Sequence, residues 1–216
     1  MTSSNSSKKT LAVAPRRRAK GRPTNAEAVQ LRQQFLAIAL EVFLEKGYAG
    51  SSMEGIARRA KVSKNTVYLQ FNNKDELFRA AAQHGLSAVD FQVDVSVNKA
   101  ASMEVVLLDI IKSIQLMAAK PSLRNLSRLL IAESQRFPTV AVAMLAEFNA
   151  MIEPISRFIE STGLPVRDPA AAASDLVMLA LGGFSFLLAE PETSTSKLNR
   201  RALEVRDQLL TGWRGA

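Results

Sequence analysis

The chain has 216 residues, 47% of them hydrophobic and 22% charged, the balance of a folded globular protein, with a net charge of +8. It contains no cysteine and one histidine, His84, which excludes a disulfide framework, a thiolate metal site, a cysteine nucleophile and a multi-histidine metal centre. No metal site and no cofactor is expected. The charge is unevenly spread: residues 1–23 hold seven basic side chains and no acid, residues 24–74 seven basic and four acidic, and residues 75–216 fourteen basic and sixteen acidic. A basic front end points to a polyanion as partner, either nucleic acid or an anionic membrane surface, and leaves the rest of the chain for another task.

Residues 1–23 form a Ser/Lys/Arg arm that is expected to be disordered. Its basic residues bunch at 16–22 between Pro15 and Pro23, instead of following one helical face as in a targeting peptide. The most apolar run, 176–189, has fourteen residues. That is short of the ~20 a bilayer requires, so the chain is expected to be cytoplasmic and not membrane-bound.

Beyond the arm the apolar spacing is helical almost throughout, predicting an all-α fold of about nine helices. Thr24 and Glu27 fit a capping box for a first helix, which buries Leu31, Phe35, Ile38, Val42 and Phe43 and stops at Gly47. Ser52 caps a short second helix to residue 60, and Ser63 a third over 64–71. A fourth is predicted over 74–91, a fifth over 103–119, a sixth from Pro121 to residue 137, and a seventh from Pro138 to about 161 with a kink at Pro154. Asp168 and Pro169 open an eighth, through residue 189, and the last covers 196–213.

Helices two and three are separated by about three residues, the layout of a helix-turn-helix whose second member enters the DNA major groove. Ile56, Ala57, Val62 and Val67 are expected to bury, leaving Lys64, Asn65, Thr66, Tyr68 and Gln70 outward for phosphates or base edges. The run from Gly47-Tyr48 through Ser51-Ser52-Met53-Glu54-Gly55-Ile56-Ala57, Ser63-Lys64-Asn65-Thr66-Val67-Tyr68-Leu69-Gln70-Phe71 and Lys74-Asp75-Glu76-Leu77-Phe78 resembles the DNA-binding domain of the TetR family of transcriptional regulators. The resemblance covers roughly residues 28–80. It implies a helix-turn-helix domain over 24–73, a ligand-binding and dimerisation domain over 74–216, and a homodimeric repressor that a small molecule releases from a palindromic operator.

It further implies DNA contacts from Ser63, Lys64, Asn65, Thr66, Tyr68 and Gln70, with Ser52 and Lys74 clamping the flanking backbone. Tyr68 is expected to pack its ring under the helix and aim its hydroxyl at a phosphate. The family often has glycine in the turn where this chain has Lys61, which is therefore expected to take a less favoured backbone angle. Gly55, inside helix two, is expected to cost about 1 kcal/mol relative to alanine. In the arm, Arg16, Arg17, Arg18, Lys20 and Arg22 surround a Gly-Arg-Pro core. They suit either a minor-groove hook on A·T-rich DNA or unspecific attraction to phosphates.

A helix apolar nearly all round, as residues 168–189 are, has to bury on two sides. One side can face its own domain and the other a partner, which puts Leu176, Leu179, Gly183 and Leu187 at the expected dimer interface; the resemblance to the TetR family implies the same for the stripe Leu198, Ala202, Val205, Leu209 and Trp213 of the last helix. Met103, Met117, Met144, Phe148, Met151 and Phe184 are candidates for an apolar effector pocket, flexible thioethers and aromatics being suited to varied ligands. Residues 126–138 resemble the C-terminal domain of the AefR-like branch of the same family. His84 is read as a packing or surface residue ahead of a ligand sensor. Two other readings stay open at this point: a basic-armed protein of anionic membrane surfaces, and a helical enzyme using Glu147 with Glu153 or Asp109 with Glu133, whose spacing does not require catalysis.

Overall fold

The computed structural model describes residues 25–89, 102–183, 185–188 and 194–214. Among them are ten helical segments and no strand: α1 (Asn25–Lys46), α2 (Met53–Arg59), α3 (Lys64–Tyr68), α4 (Lys74–Ser87), α5 (Met103–Ala118), α6 (Pro121–Ala132), α7 (Pro138–Ser161), α8 (Pro169–Leu181), α9 (Ser185–Leu188) and α10 (Thr195–Arg214). The all-α fold and the order of elements follow the sequence pattern. The tenth segment arises because the predicted eighth helix is two.

Gly182 and Gly183 both have positive φ (83° and 57°). The Gly182 amide donates to Leu179 and the Gly183 amide to Met178, closing α8 with a Schellman turn before the single turn of α9. Three other helices also end earlier than expected: α3 stops at Tyr68, not residue 71, α6 at Ala132, not residue 137, and α4 at Ser87. Asp168 caps α8 by accepting from the amides of Ala170 and Ala171 at 3.0 Å each.

Two apolar cores organise the chain. The first joins α1 through α3 with Leu77, Phe78, Ala81, Ala82 and Leu86 of α4, Leu126, Leu129 and Leu130 of α6, Phe137 and Val140. Gly85 brings α4 close, since a Cβ there would lie 2.7 Å from Leu40 Cδ2 and 3.3 Å from Leu126 Cδ1. α4 is thus packed with the helix-turn-helix although the sequence groups it with the later helices. The second core gathers α5, α7, α8 and α10 around residues such as Ile111, Ile155, Leu176, Val177 and Trp213.

By length and composition residues 169–188 would suffice to cross a bilayer, with a mean hydropathy of 1.8. In the fold the helix breaks at Gly182, and Ala172, Ala173, Leu176, Val177 and Ala180 are buried in the second core.

The helix-turn-helix and the apolar cavity

The DNA-facing unit is fixed from its turns outward. α1 ends at Gly47, whose φ of +68° lets the chain reverse, and Gly50 is required because a Cβ would sit 2.4 Å from the Lys46 carbonyl oxygen. Ser52 caps α2, its hydroxyl accepting from the Gly55 amide at 3.1 Å. A second Schellman turn ends α2, the Lys61 amide donating to Arg58 and the Val62 amide to Ala57. Lys61 occupies its left-handed position with φ +55°, the only non-glycine positive φ among the described residues, as the sequence anticipated. Ser63 then caps α3, accepting from the Thr66 amide at 3.0 Å.

Val67 anchors α3 with 2% exposure, while Lys64, Asn65, Thr66, Tyr68 and Gln70 all lie exposed around it. Tyr68 differs in detail from expectation. Its ring is half exposed, and its hydroxyl donates to Glu54 Oε1 at 3.1 Å, across the corner between α2 and α3. That bond raises the Tyr68 pKa, while a backbone hydrogen bond first and the Tyr68 hydroxyl second lower that of Glu54. Lys64 Nζ lies 4.0 Å from the same carboxylate. Glu54 therefore holds two of the outward donors in the free protein.

Leu69, which the sequence pattern did not single out, is 78% exposed on the same surface. An apolar side chain there suits contact with a thymine methyl group. Its signal was present, a leucine between two outward residues of the second helix of the motif.

Lys74 is engaged within the domain. Its ammonium donates to the carbonyls of Tyr48 and Ser51 at 3.0 Å each and stands 4.2 Å from the centre of the Tyr48 ring. In the structure this side chain holds the loop between α1 and α2. Ser52 remains exposed at the start of α2. Arg16, Arg17, Arg18, Lys20 and Arg22 lie outside the described residues, as does Thr24 of the expected capping box.

Tyr48 marks the joint between the two parts of the chain. Its hydroxyl donates to Asp75, and its ring packs edge-on to Phe78 (5.3 Å) and Phe137 (5.1 Å), with the Arg136 guanidinium 4.3 Å from its centre. Burial, then the Asp75 hydrogen bond and charge, push the Tyr48 pKa up to about 12. Phe137, at the corner between α6 and α7, is thereby planted in the core of the DNA-facing unit.

The same α6 and α7 wall a cavity of about 380 Å³, with α4 and α8 beside them. Its lining is almost wholly apolar and includes Met117, Met144, Phe148 and Met151, four of the six effector candidates. Met103 is not among them. It stands in the first turn of α5 against the second core, because a methionine at a helix start packs wherever its own helix meets neighbours. Phe184 lies outside the described residues. Phe186 and Leu187 of α9 line the cavity instead, together with Met178, a methionine of the same group, and Leu126 and Leu130, which the sequence pattern had no means of assigning to it. His84 is half buried on α4.

The interface stripe is corrected most. Leu176, Ala202 and Val205 are fully buried within the chain, and Leu209 and Trp213 nearly so, because this face of α10 packs on α5 and α8. Leu179, Leu187 and Leu198 are half buried and Gly183 exposed. The outward face of this layer instead carries Met178, 48% exposed, and Leu203, 40% exposed. Between α8 and α10 runs a groove lined by Asp175, Met178, Leu179, Gln208 and Gly212. Of the carboxylates weighed for catalysis, Glu153 is ion-paired with Arg157 on an exposed face of α7, and none of the four lines the cavity.

A helix-turn-helix with an exposed polar second helix, joined to a helical body with an apolar cavity, defines a ligand-responsive class of DNA-binding protein. Comparison with known proteins names the family. Residues 35–81 match the description "Bacterial regulatory proteins, tetR family", and residues 105–202 the "AefR-like transcriptional repressor, C-terminal domain".

Among relatives, the chain is 37% identical over 98 residues to the HTH-type transcriptional regulator SrpR of Pseudomonas putida, covering 44% of this chain and 46% of SrpR. It is equally 37% identical over 98 residues to the HTH-type transcriptional regulator TtgW, also of Pseudomonas putida, covering 44% of this chain and 72% of TtgW. The match thus spans about half the length of SrpR and nearly three-quarters of TtgW. A solved Mesorhizobium loti protein described as a TetR-family transcriptional regulator superposes with a TM-score of 0.73 at 26% identity, over 88% of this chain and 98% of that one. The chain belongs to the TetR family, a family of transcriptional regulators and not of enzymes.

Proposed function

We propose that the chain is a homodimeric repressor that binds a palindromic operator through residues 63–70 and is released by a small apolar effector. The observation that carries this reading is one buried anchor on α3, Val67, surrounded by exposed donors and acceptors at 64, 65, 66 and 68 and at 70 just past the helix end. A single unit of this size makes few base contacts, so specificity calls for two, about one helical turn of DNA apart. The face for a second copy is the outer surface of α8 and α10, where Met178 and Leu203 stand exposed beside the α8–α10 groove. The protein acts where DNA is, in the cytoplasm.

The effector occupies the 380 Å³ cavity, whose walls α4, α6 and α7 also reach the DNA-facing core. A ligand that spreads α6 from α7 moves Phe137 against Tyr48 and Phe78 and shifts the two recognition helices out of phase with the groove. A coupling of about 1–3 kcal/mol, ordinary for allostery, changes operator affinity roughly 5–150-fold. Sedimentation equilibrium tests the symmetric arrangement: a dimer at micromolar concentration is expected, and a chain that stays single at every concentration rules the palindrome out.

A further inference from the structure

Between residues 47 and 74 the chain holds five basic side chains, Arg58, Arg59, Lys61, Lys64 and Lys74, and one acid, Glu54. Two of the cations are engaged away from α3: Arg59 pairs with Glu45 at 2.7 Å, and Lys74 reaches inward to two carbonyls. The lone acid is turned toward α3. It stands half exposed in the first turn of α2, where its carboxylate accepts from the Tyr68 hydroxyl at 3.1 Å and lies 4.0 Å from Lys64 Nζ. A lowered pKa, set by a backbone hydrogen bond first and the Tyr68 hydroxyl second, keeps it charged at pH 7. Contacts this open to water add little stability. What Glu54 does share is one surface with the side chains that face DNA.

We propose, resting on the operator reading given above, that Glu54 is a specificity-determining residue whose carboxylate accepts a hydrogen bond from the amino group of a cytosine in each half-site. As α3 enters the major groove, phosphates draw Tyr68 and Lys64 away from Glu54. A carboxylate is an acceptor only, and once it has lost both donors it stands among phosphates of its own sign. The groove then has to supply a donor. Guanine presents N7 and O6, and thymine O4, all of them acceptors that repel the carboxylate. Adenine has an amino group at N6 with the acceptor N7 beside it, whereas cytosine offers its N4 amino group without an N7. Opposite any other base the charge stays unpaired, which weakens wrong complexes as well as favouring the right one. The same charge holds down unspecific attraction of Arg58, Lys61 and Lys64 to phosphates.

The test selects bound sequences from a random DNA pool with the full chain, with Glu54→Gln and with Glu54→Ala, melting temperatures confirming that each variant folds. The parent is expected to prefer cytosine at one position of each half-site by about fivefold or more, the discrimination of one base contact. In Glu54→Gln the preference at that position shifts to adenine, because a glutamine amide pairs with N6 and N7 together. Glu54→Ala leaves the position without a preference, and both variants bind random duplex more tightly than the parent. A parent half-site with no preferred cytosine overturns the inference without any variant. So does a folded Glu54→Gln or Glu54→Ala protein that keeps every base preference of the parent, whatever its affinity. A parent that enriches no sequence at all overturns the operator reading itself, a result distinct from either.

Discussion

The Tyr48 phenol is buried, donates to Asp75, and holds its proton to about pH 12. In the unfolded chain a tyrosine titrates near pH 10, roughly. Its folded pKa is the higher, so the contribution of this hydrogen bond is fully present below about pH 10 and is lost as pH rises through about 12. Tyr48→Phe is expected to lower stability by about 1–2 kcal/mol at pH 7. Urea titrations of both proteins should show that difference constant up to about pH 10 and shrinking above it. A gap that does not change with pH would mean the hydroxyl is not the cause.

Tyr68 is the opposite case, exposed and, among the described residues, bonded to a surface carboxylate. Tyr68→Phe is expected to leave the melting temperature within a degree or so and weaken operator binding about 2–10-fold, the worth of one hydrogen bond. Equal affinity in a filter-binding assay would remove the residue from the contact set. At this scale the sequence told which α3 residues face out, because one turn of helix and one valine anchor set the phase. It could not show that Glu54 occupies Tyr68 and Lys64, or that Lys74 turns inward to two carbonyls, since both depend on how a loop folds back.

Helix phase explains where the element reading held and where it failed. The stripe on α10 was read correctly as a stripe, but it faces α5 and α8 of its own chain. A periodic pattern identifies the buried face and not the owner of the surface it meets. The eighth helix, apolar nearly all round, gives no phase at all, and that pattern does not mark where it stops. The left-handed Gly182 is what ends it. Gly182→Ala puts a side chain at φ +83° with its Cβ 3.2 Å from Ser185 Oγ. We expect a stability loss of about 1–2 kcal/mol from the left-handed backbone alone, read as a lower melting temperature. Because α9 carries Phe186, effector affinity should fall with it. A variant as stable as the parent would mean the turn relaxes without strain.

At the level of the whole molecule, the two cores meet at the corner of α6 and α7, and Phe137 is the side chain that crosses. Sequence alone placed residue 137 at a helix end and could not tell which core would take it, because a contact between residues 48 and 137 leaves no local trace. Phe137→Leu, which keeps an apolar side chain there, is expected to preserve operator binding and effector binding separately. The fold-change in operator affinity on adding effector should shrink by about half or more on a scale set by an ordinary coupling of about 1–3 kcal/mol. Unaltered coupling would direct attention to α4, whose Leu86 also lines the cavity.

The claim beneath all of this is that α3 is presented twice, by a symmetric pair, to the major groove. Selection of bound sequences from a random DNA pool tests it most directly. The account predicts an inverted repeat with half-sites centred about 10 base pairs, or a multiple of that, apart. It also predicts that Asn65→Ala alters the same positions in both halves. Recovery of a single asymmetric site, or of no enriched sequence at all, would contradict it.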